Sequence, residues 1–401
     1  MRALATRLRV AIVTVVAGFF AYCYRKFLPD RLLVCGLSIT GDVRRETHHE
    51  ARRKNQSMSN TLPPTGPICQ RGRQVPNLYV LGTEKAASSE LGVVLIQSGV
   101  DTPLHKNKPH GKVVFSHTGI PNKEFHFFDG WGSVRADMKY SLQSLKARWH
   151  RFMPKCSNSA MKPLADMTPI NLALTPVQLG SMKLDARPYE QILTHHTMEL
   201  PSRLRQLYGA QYTTVRFLIT LREPVARMQS AWWMQHDGSR TWRWPNRNQS
   251  FRAEIREAML QYHTSGQIRF FLWRSMYGHQ ISKWFEHWSP EQFGFIPFNY
   301  FRSKDKLPQL CRQLSSQLEL HVKCGVFSRK TVFAGKHPSL KDEIPEYSYV
   351  WYSLQEIFSP DYSLLVYLLA HALCTGGTLA GFSGSCGSPI DLLKAWLIEG
   401  W

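Results

Sequence analysis

Asn77-Leu-Tyr-Val-Leu-Gly82-Thr-Glu-Lys85-Ala-Ala87-Ser88-Ser89-Glu-Leu-Gly-Val-Val-Leu95 is the stretch whose reading decides the fold. Leu78 to Leu81 is a short apolar run suited to a buried parallel strand. Gly82 breaks the run, Lys85 sits in the turn, and two small hydroxyl residues open an apolar segment of helical length. A strand, a turn and a helix start can hold an anion, because the first backbone N–H groups of a helix have no internal partner. Ser88 and Ser89 add hydroxyl donors and Lys85 adds a charge. The stretch has neither the Gly-x4-Gly-Lys-Ser/Thr spacing of a Walker A loop nor the Gly-x-Gly-x-x-Gly dinucleotide pattern. By itself it is equally readable as an ordinary strand–helix connection.

A second segment strengthens the first. In Leu218-Ile-Thr-Leu-Arg222-Glu-Pro224-Val-Ala-Arg-Met-Gln-Ser230, Arg222 falls at the end of the clearest strand pattern in the chain, Thr214 to Leu221. Ligands of open parallel sheets bind at that edge. Pro224 suits the first turn of the helix that follows, and Ser230 lies along it. A guanidinium at the strand end and a hydroxyl eight positions on can grip one phosphate from two sides. The plainer alternatives for Arg222 are a helix cap or a surface ion pair with Glu223.

The remaining pattern alternates short apolar runs with helices. Val113 to Phe115 and Gln292 to Ile296 are further candidate strands. Phe271, Tyr277, Ile281, Trp284, Phe285 and Trp288 recur at helical spacing, which predicts one amphipathic helix. Tyr349 to Leu373 is a late helical region, and 375–389 is a Gly- and Ser-rich linker. Strands separated by helices predict an α/β fold with a central, mainly parallel sheet flanked by helices.

The chain of 401 residues has 12% aromatic and 43% apolar content, enough for a packed core. Its formal net charge of +21 favours a polyanionic partner or a phosphorylated cofactor, and equally describes a solvated basic surface. The eight cysteines show no Cys-x-x-Cys pair and no zinc-like cluster. Val10 to Tyr24 is an uncharged apolar run behind Arg2, Arg7 and Arg9. It is short against the about 17–25 residues of a bilayer span, and the flanking basic side chains extend it by snorkelling. It reads as an uncleaved signal anchor, with a cleaved signal peptide as the competing reading. Residues 25–75 read as a flexible stem carrying the sequon Asn55-Gln-Ser57, and Asn248-Gln-Ser250 is a second sequon. The expected organisation is a tail (1–9), an anchor helix (10–24), a stem (25–75), a catalytic domain (76–373) and a C-terminal tail (374–401).

With both anion segments in view, the chain resembles the sulfotransferases that use 3′-phosphoadenosine 5′-phosphosulfate (PAPS). It is most similar to their Golgi heparan sulfate branch. Lys123-Glu124-Phe-His126-Phe-Phe-Asp129, Tyr277 to Trp288 with Glu291-Gln292, Gly335-Lys336-His337-Pro338 and Leu354 to Pro360 are each similar to a segment of that branch, in the same order. The resemblance implies a P-loop-like fold over roughly 76–373, with PAPS as co-substrate and no metal. It places the 5′-phosphosulfate on Lys85, Ala87, Ser88 and Ser89. It places the 3′-phosphate on Arg222 and Ser230, and a closing loop at Gly335 and Lys336. Ala87 stands where the family usually has glycine, which requires a turn with negative φ. Glu124 matches the catalytic base, Lys85 offsets charge on the leaving phosphate oxygen, and His126 is the rival base or a substrate contact. If 123–129 is an extended strand, Glu124 and His126 share one face. Asp185-Ala186-Arg187-Pro188-Tyr189 departs from the family's pattern, with Ala186 in place of a lysine; Arg187 restores the charge one position on.

The implied function is sulfuryl transfer to a hydroxyl or amino group of a glycan, by a Golgi type II membrane glycoprotein with its catalytic domain in the lumen. The expected partners are an acidic glycan and the membrane, with no nucleic acid. The alternatives are a sulfotransferase of small alcohols or lipids, and a non-catalytic, lectin-like polyanion binder.

Overall fold

The computed structural model describes residues 66–103, 127–128, 141–157, 161–173, 187–188, 199–236, 250–323, 325, 343–344 and 348–379. The expected anchor helix, most of the stem, the strand at Val113 to Phe115, and the tail beyond Leu379 lie outside them.

The chain enters through a hairpin of β1 (Ile68–Gln70) and β2 (Arg73–Val75). Its two-residue turn, Arg71 and Gly72, has φ of 50° and 72°, the left-handed pair that a tight hairpin needs. A disulfide from Cys69 to Cys156 fastens it, and the Gln74 amide donates to the Pro154 carbonyl at 2.9 Å. The end of the expected stem is therefore folded. Its polar composition concealed a hairpin whose alternate residues Ile68 and Val75 enter the core.

β3 (Leu78–Gly82) follows, then α1 (Ser88–Gln97), α2 (Leu142–Arg151), β4 (Ala165–Asp166), β5 (Arg187–Pro188) and α3 (Leu200–Tyr208). β6 (Arg216–Leu221), α4 (Pro224–His236), α5 (Phe251–Ser265), β7 (Gln267–Ile268), α6 (Phe270–Trp273) and α7 (Tyr277–Phe285) come next. β8 (Phe293–Pro297), α8 (Lys306–Leu318), α9 (Tyr349–Cys374) and β9 (Thr378–Leu379) complete the described elements.

The main sheet has the order β4-β3-β6-β8-β9, and every pairing in it is parallel. β3 has β4 on one side and the later strands on the other, so strand order reverses between β3 and β6. Ligands of open parallel sheets collect at the carboxyl ends of the strands flanking such a reversal.

The two-residue period of a strand sorts the core. Tyr79, Leu81, Phe217, Ile219, Phe293 and Phe295 face one layer, built from α3, α5, α7 and α9. Leu78, Val80, Leu218 and Ile296 face the other, where α1 supplies Leu91 and Leu95 and α8 supplies Leu310 and Leu314. Phe217 stacks on Phe293 at 4.7 Å and meets the Trp288 ring edge-on at 4.7 Å. Such ring pairs add about 0.5–1.5 kcal/mol each beyond area burial.

Two expected elements differ. The single helix over 271–288 is two, α6 and α7, broken at Ser275 and Met276. Side-chain capping defeats continuous winding there. The Ser275 hydroxyl accepts from Arg227 Nε at 2.7 Å, and Asp361 of α9 accepts the Gly278 and His279 amides at 3.0 and 2.9 Å. The linker and tail after Cys374 instead begin with a turn at Gly376 (φ 100°) and Gly377, which returns the chain to the sheet as edge strand β9. A Cβ on Gly377 would lie 2.8 Å from the Ala372 carbonyl oxygen, so Gly377 serves close approach while Gly376 serves the positive φ. α9 is long and apolar enough to cross a membrane, yet it buries Leu354, Ile357, Phe358, Leu365 and Leu369 in the core.

Candidate active site

β3 and β6 slip register between Val80 and Gly82, a bulge at the strand end that leads into the loop. Gly82 takes φ 139°, and a Cβ there would lie 2.2 Å from the Pro169 carbonyl oxygen, so this position admits only glycine. β6 ties the loop down. The Thr83 amide donates to the Thr220 carbonyl at 2.7 Å, and the Thr220 hydroxyl donates to the Gly82 carbonyl at 2.9 Å.

The loop then makes two left-handed turns, at Lys85 (φ 69°) and Ala87 (φ 66°). The negative φ expected at Ala87 is thus corrected: the position has the conformation that glycine holds without strain. Ala87 is the N-cap of α1 and provides no side-chain cap. Ser88, buried, and Ser89, half-buried, occupy the first turn. Alternating backbone handedness ahead of an uncapped helix forms a concavity of N–H groups that suits an anion.

Arg222 follows the last residue of β6 and reaches this loop. Its Nη1 donates to the Lys85 carbonyl at 3.0 Å, joining the two segments that the sequence marked separately. Its own carbonyl accepts the Tyr277 hydroxyl at 3.0 Å, and its guanidinium lies 4.5 Å from the Phe298 ring centroid. Arg302 approaches the same ring at 5.1 Å. Glu223 does not form the simple ion pair weighed for Arg222. Its carboxylate turns back to cap α4, accepting the Val225 and Ala226 amides at 2.7 and 2.5 Å. Ser230 is half-buried two turns along α4.

Electrostatics favour an incoming anion. Burial holds the Lys85 ammonium below its usual pKa, and Arg222 and Arg227 push the same way against Glu84 and Glu90. Burial brings Arg222 down to about 10.

Beside the loop lies a small cleft with room for little more than one water molecule, lined by Thr83, Glu84, Leu172, Arg227, Arg274 and Gln280 among others. Arg274 pairs with Glu84 at 3.1 Å, while Arg274 Nε and Gln280 Oε1 are buried without a hydrogen-bond partner. The sequence reading missed Arg227, Arg274, Gln280 and Tyr277's role, because they sit on α4, on α7 and in the turn between α6 and α7 rather than at a strand end. Phe298, directly after a strand, was the readable signal.

Other expected site residues fall elsewhere. Arg187 lies in β5, which pairs with β7 in a separate two-stranded ladder rather than with the main sheet. Glu124, His126, Gly335 and Lys336 lie outside the described residues. Phe127 and Phe128, just after His126, are both buried and pack edge to face at 4.9 Å. Consecutive burial at a bend ends the alternation expected of a strand over 123–129 at this point.

No family model matches the sequence, and no curated protein matches it. Among solved structures the chain is similar to a sulfotransferase from Alicyclobacillus acidocaldarius, at TM-score 0.41 and 16% identity, over 74% of this chain and 96% of that one. That likeness assigns neither family nor activity to this chain.

Proposed function

We propose that the chain is a PAPS-dependent sulfotransferase acting on a glycan. The observation that carries this reading is the Arg222–Lys85 hydrogen bond. It gathers two half-buried cations, a left-handed loop and an uncapped helix at the reversal point of the sheet. A donor bearing phosphates at both ends of a nucleoside fits two such grips.

In this reading Lys85 and the Ala87, Ser88 and Ser89 amides hold the 5′-phosphosulfate, while Arg222 and Ser230 hold the 3′-phosphate. Gly335 and Lys336 close over the nucleotide, and His126 and Arg187 contact the acceptor. The nucleotide supplies the sulfuryl group. Glu124 accepts the proton from the acceptor hydroxyl as its oxygen bonds to sulfur, and the bond from sulfur to the phosphate oxygen breaks. Lys85 offsets the charge gathering on that oxygen.

The proposed location is the Golgi lumen, with 10–24 as a type II anchor. The Cys69–Cys156 disulfide, and the disulfide-bonded Cys311 and Cys374, suit such an oxidising compartment. The test is transfer of radiolabelled sulfate from PAPS to a panel of glycans, small alcohols and lipids. Label on a glycan, lost in Glu124→Gln, is the expected result. Label only on small alcohols or lipids would overturn the glycan assignment, and no label on any acceptor would overturn the enzyme reading.

A further inference from the structure

The break between α6 and α7 reaches both anion segments. Four consecutive residues, Arg274 to Tyr277, divide the contacts between them. Arg274 Nη1 donates to the Glu84 carboxylate at 3.1 Å, one residue before Lys85 in the first loop. Ser275 engages the second segment. Its hydroxyl accepts from Arg227 Nε at 2.7 Å and donates to the Pro224 carbonyl at 3.2 Å, both on α4. The Tyr277 hydroxyl donates to the carbonyl of Arg222 at 3.0 Å.

Both ends of the break are held. Arg227 Nη2 donates to the Phe271 carbonyl at 2.6 Å, and the Gln280 side-chain amide donates to the Trp273 carbonyl at 2.6 Å. Asp361 of α9 accepts the Gly278 and His279 amides, which anchors the start of α7 to a core helix. Ser275, Met276 and Tyr277 are buried, and a close-packed interior transmits a shift rather than absorbing it. A movement that pulls on Glu84 thus acts on Arg222 and α4 through one turn of chain. This connection runs in addition to the direct Arg222–Lys85 hydrogen bond.

We propose that this turn couples the two anion grips, with Arg274 and Ser275 as positioning residues rather than phosphate contacts. The two grips are those of the nucleotide reading, on which this coupling rests: the 5′-phosphate at the loop, the 3′-phosphate at Arg222 and Ser230. Coupling between binding events is reciprocal, so a phosphate held at either grip tightens the other by the same factor. Contacts alone do not measure such coupling, and a perturbation at one grip read out at the other does.

The test is calorimetric titration of three nucleotides into the full chain. Adenosine 5′-phosphate fills the loop grip, adenosine 3′-phosphate fills the Arg222 grip, and 3′-phosphoadenosine 5′-phosphate fills both. The Ser275 hydroxyl bonds to α4 and Phe271, so Ser275→Ala perturbs the second segment directly and changes no charge. It is expected to weaken adenosine 5′-phosphate, bound at the other grip, about fivefold, the low end for coupled sites. Arg274→Gln works from the loop side and is expected to weaken adenosine 3′-phosphate about fivefold. Arg274→Lys, which keeps a cation beside Glu84, is expected to stay within about twofold of the parent. Arg252→Gln, at an exposed position of α5, makes the same charge change elsewhere and should leave all three affinities unchanged. Losses confined to each variant's own grip would overturn the coupling and leave the nucleotide site standing. So would equal losses in Arg252→Gln, or a lowered thermal midpoint with every affinity kept. Should Ser275→Ala fail to fold, the two Arg274 variants carry the same test. A folded parent that binds none of the three nucleotides would overturn the nucleotide reading, and the coupling with it.

Discussion

Ala87 holds φ at 66°, a conformation that costs a residue with a Cβ about 1–2 kcal/mol. Ala87→Gly removes that cost and returns part of it through a more flexible unfolded chain. The expected outcome is a net gain of about 0.5–1 kcal/mol in denaturant unfolding, with nucleotide affinity kept. Lys85, two residues earlier, makes a pH prediction. Its folded pKa lies below the unfolded value because of burial, so as pH rises between the two values the unfolded chain holds the extra proton and folding gains stability. A phosphate bound beside Lys85 raises the pKa again. Binding of 3′-phosphoadenosine 5′-phosphate (PAP) is therefore expected to take up protons increasingly as pH rises toward the lowered pKa of Lys85. Calorimetry in buffers of different ionisation enthalpy measures this, and Lys85→Met should abolish it. The residue types at the two anion segments were legible in the sequence, because strand-end charges and helix-start hydroxyls recur at fixed offsets. The handedness at Ala87 was not, since φ leaves no trace in residue type when the residue is not glycine.

α7 and α9 touch at Gly278. A Cβ there would lie 2.4 Å from the Asp361 carbonyl oxygen and 2.9 Å from the Leu365 amide nitrogen, both backbone atoms that cannot swing aside. Gly278→Ala is expected to destabilise by about 1–3 kcal/mol or more, read as a lower thermal midpoint. It should also weaken nucleotide binding, because α7 positions Tyr277 against the Arg222 carbonyl. At this scale β3, β6 and β8 stood out as apolar runs and α9 as a long periodic helix. The break between α6 and α7 escaped notice because it depends on Arg227 and Asp361, which come from other helices. The β1–β2 hairpin escaped because two three-residue strands are too short to register as a period.

Across the whole molecule, the Cys69–Cys156 cross-link joins positions 87 apart in sequence. The chain-entropy model assigns a loop of that length roughly 4–5 kcal/mol. Replacing both cysteines with serine is expected to lower stability by up to that amount and to loosen the hairpin first, seen as faster amide exchange at Gln74 and Cys156. The parallel sheet was legible from the alternation of apolar runs with helical patterns. Strand order was not, because β4 and β9 are two-residue strands whose place is set by tertiary packing.

The central claim is one nucleotide site built from both anion segments, and its most direct test is calorimetric titration of PAP into the protein, Arg222→Ala and Glu124→Gln. Arg222 donates to the Lys85 carbonyl of the loop and is the proposed 3′-phosphate grip, whereas Glu124 is the proposed base on the acceptor. Binding lost at least tenfold in Arg222→Ala and retained in Glu124→Gln is the predicted result. No binding to the folded parent protein, or equal affinity in Arg222→Ala, would contradict it.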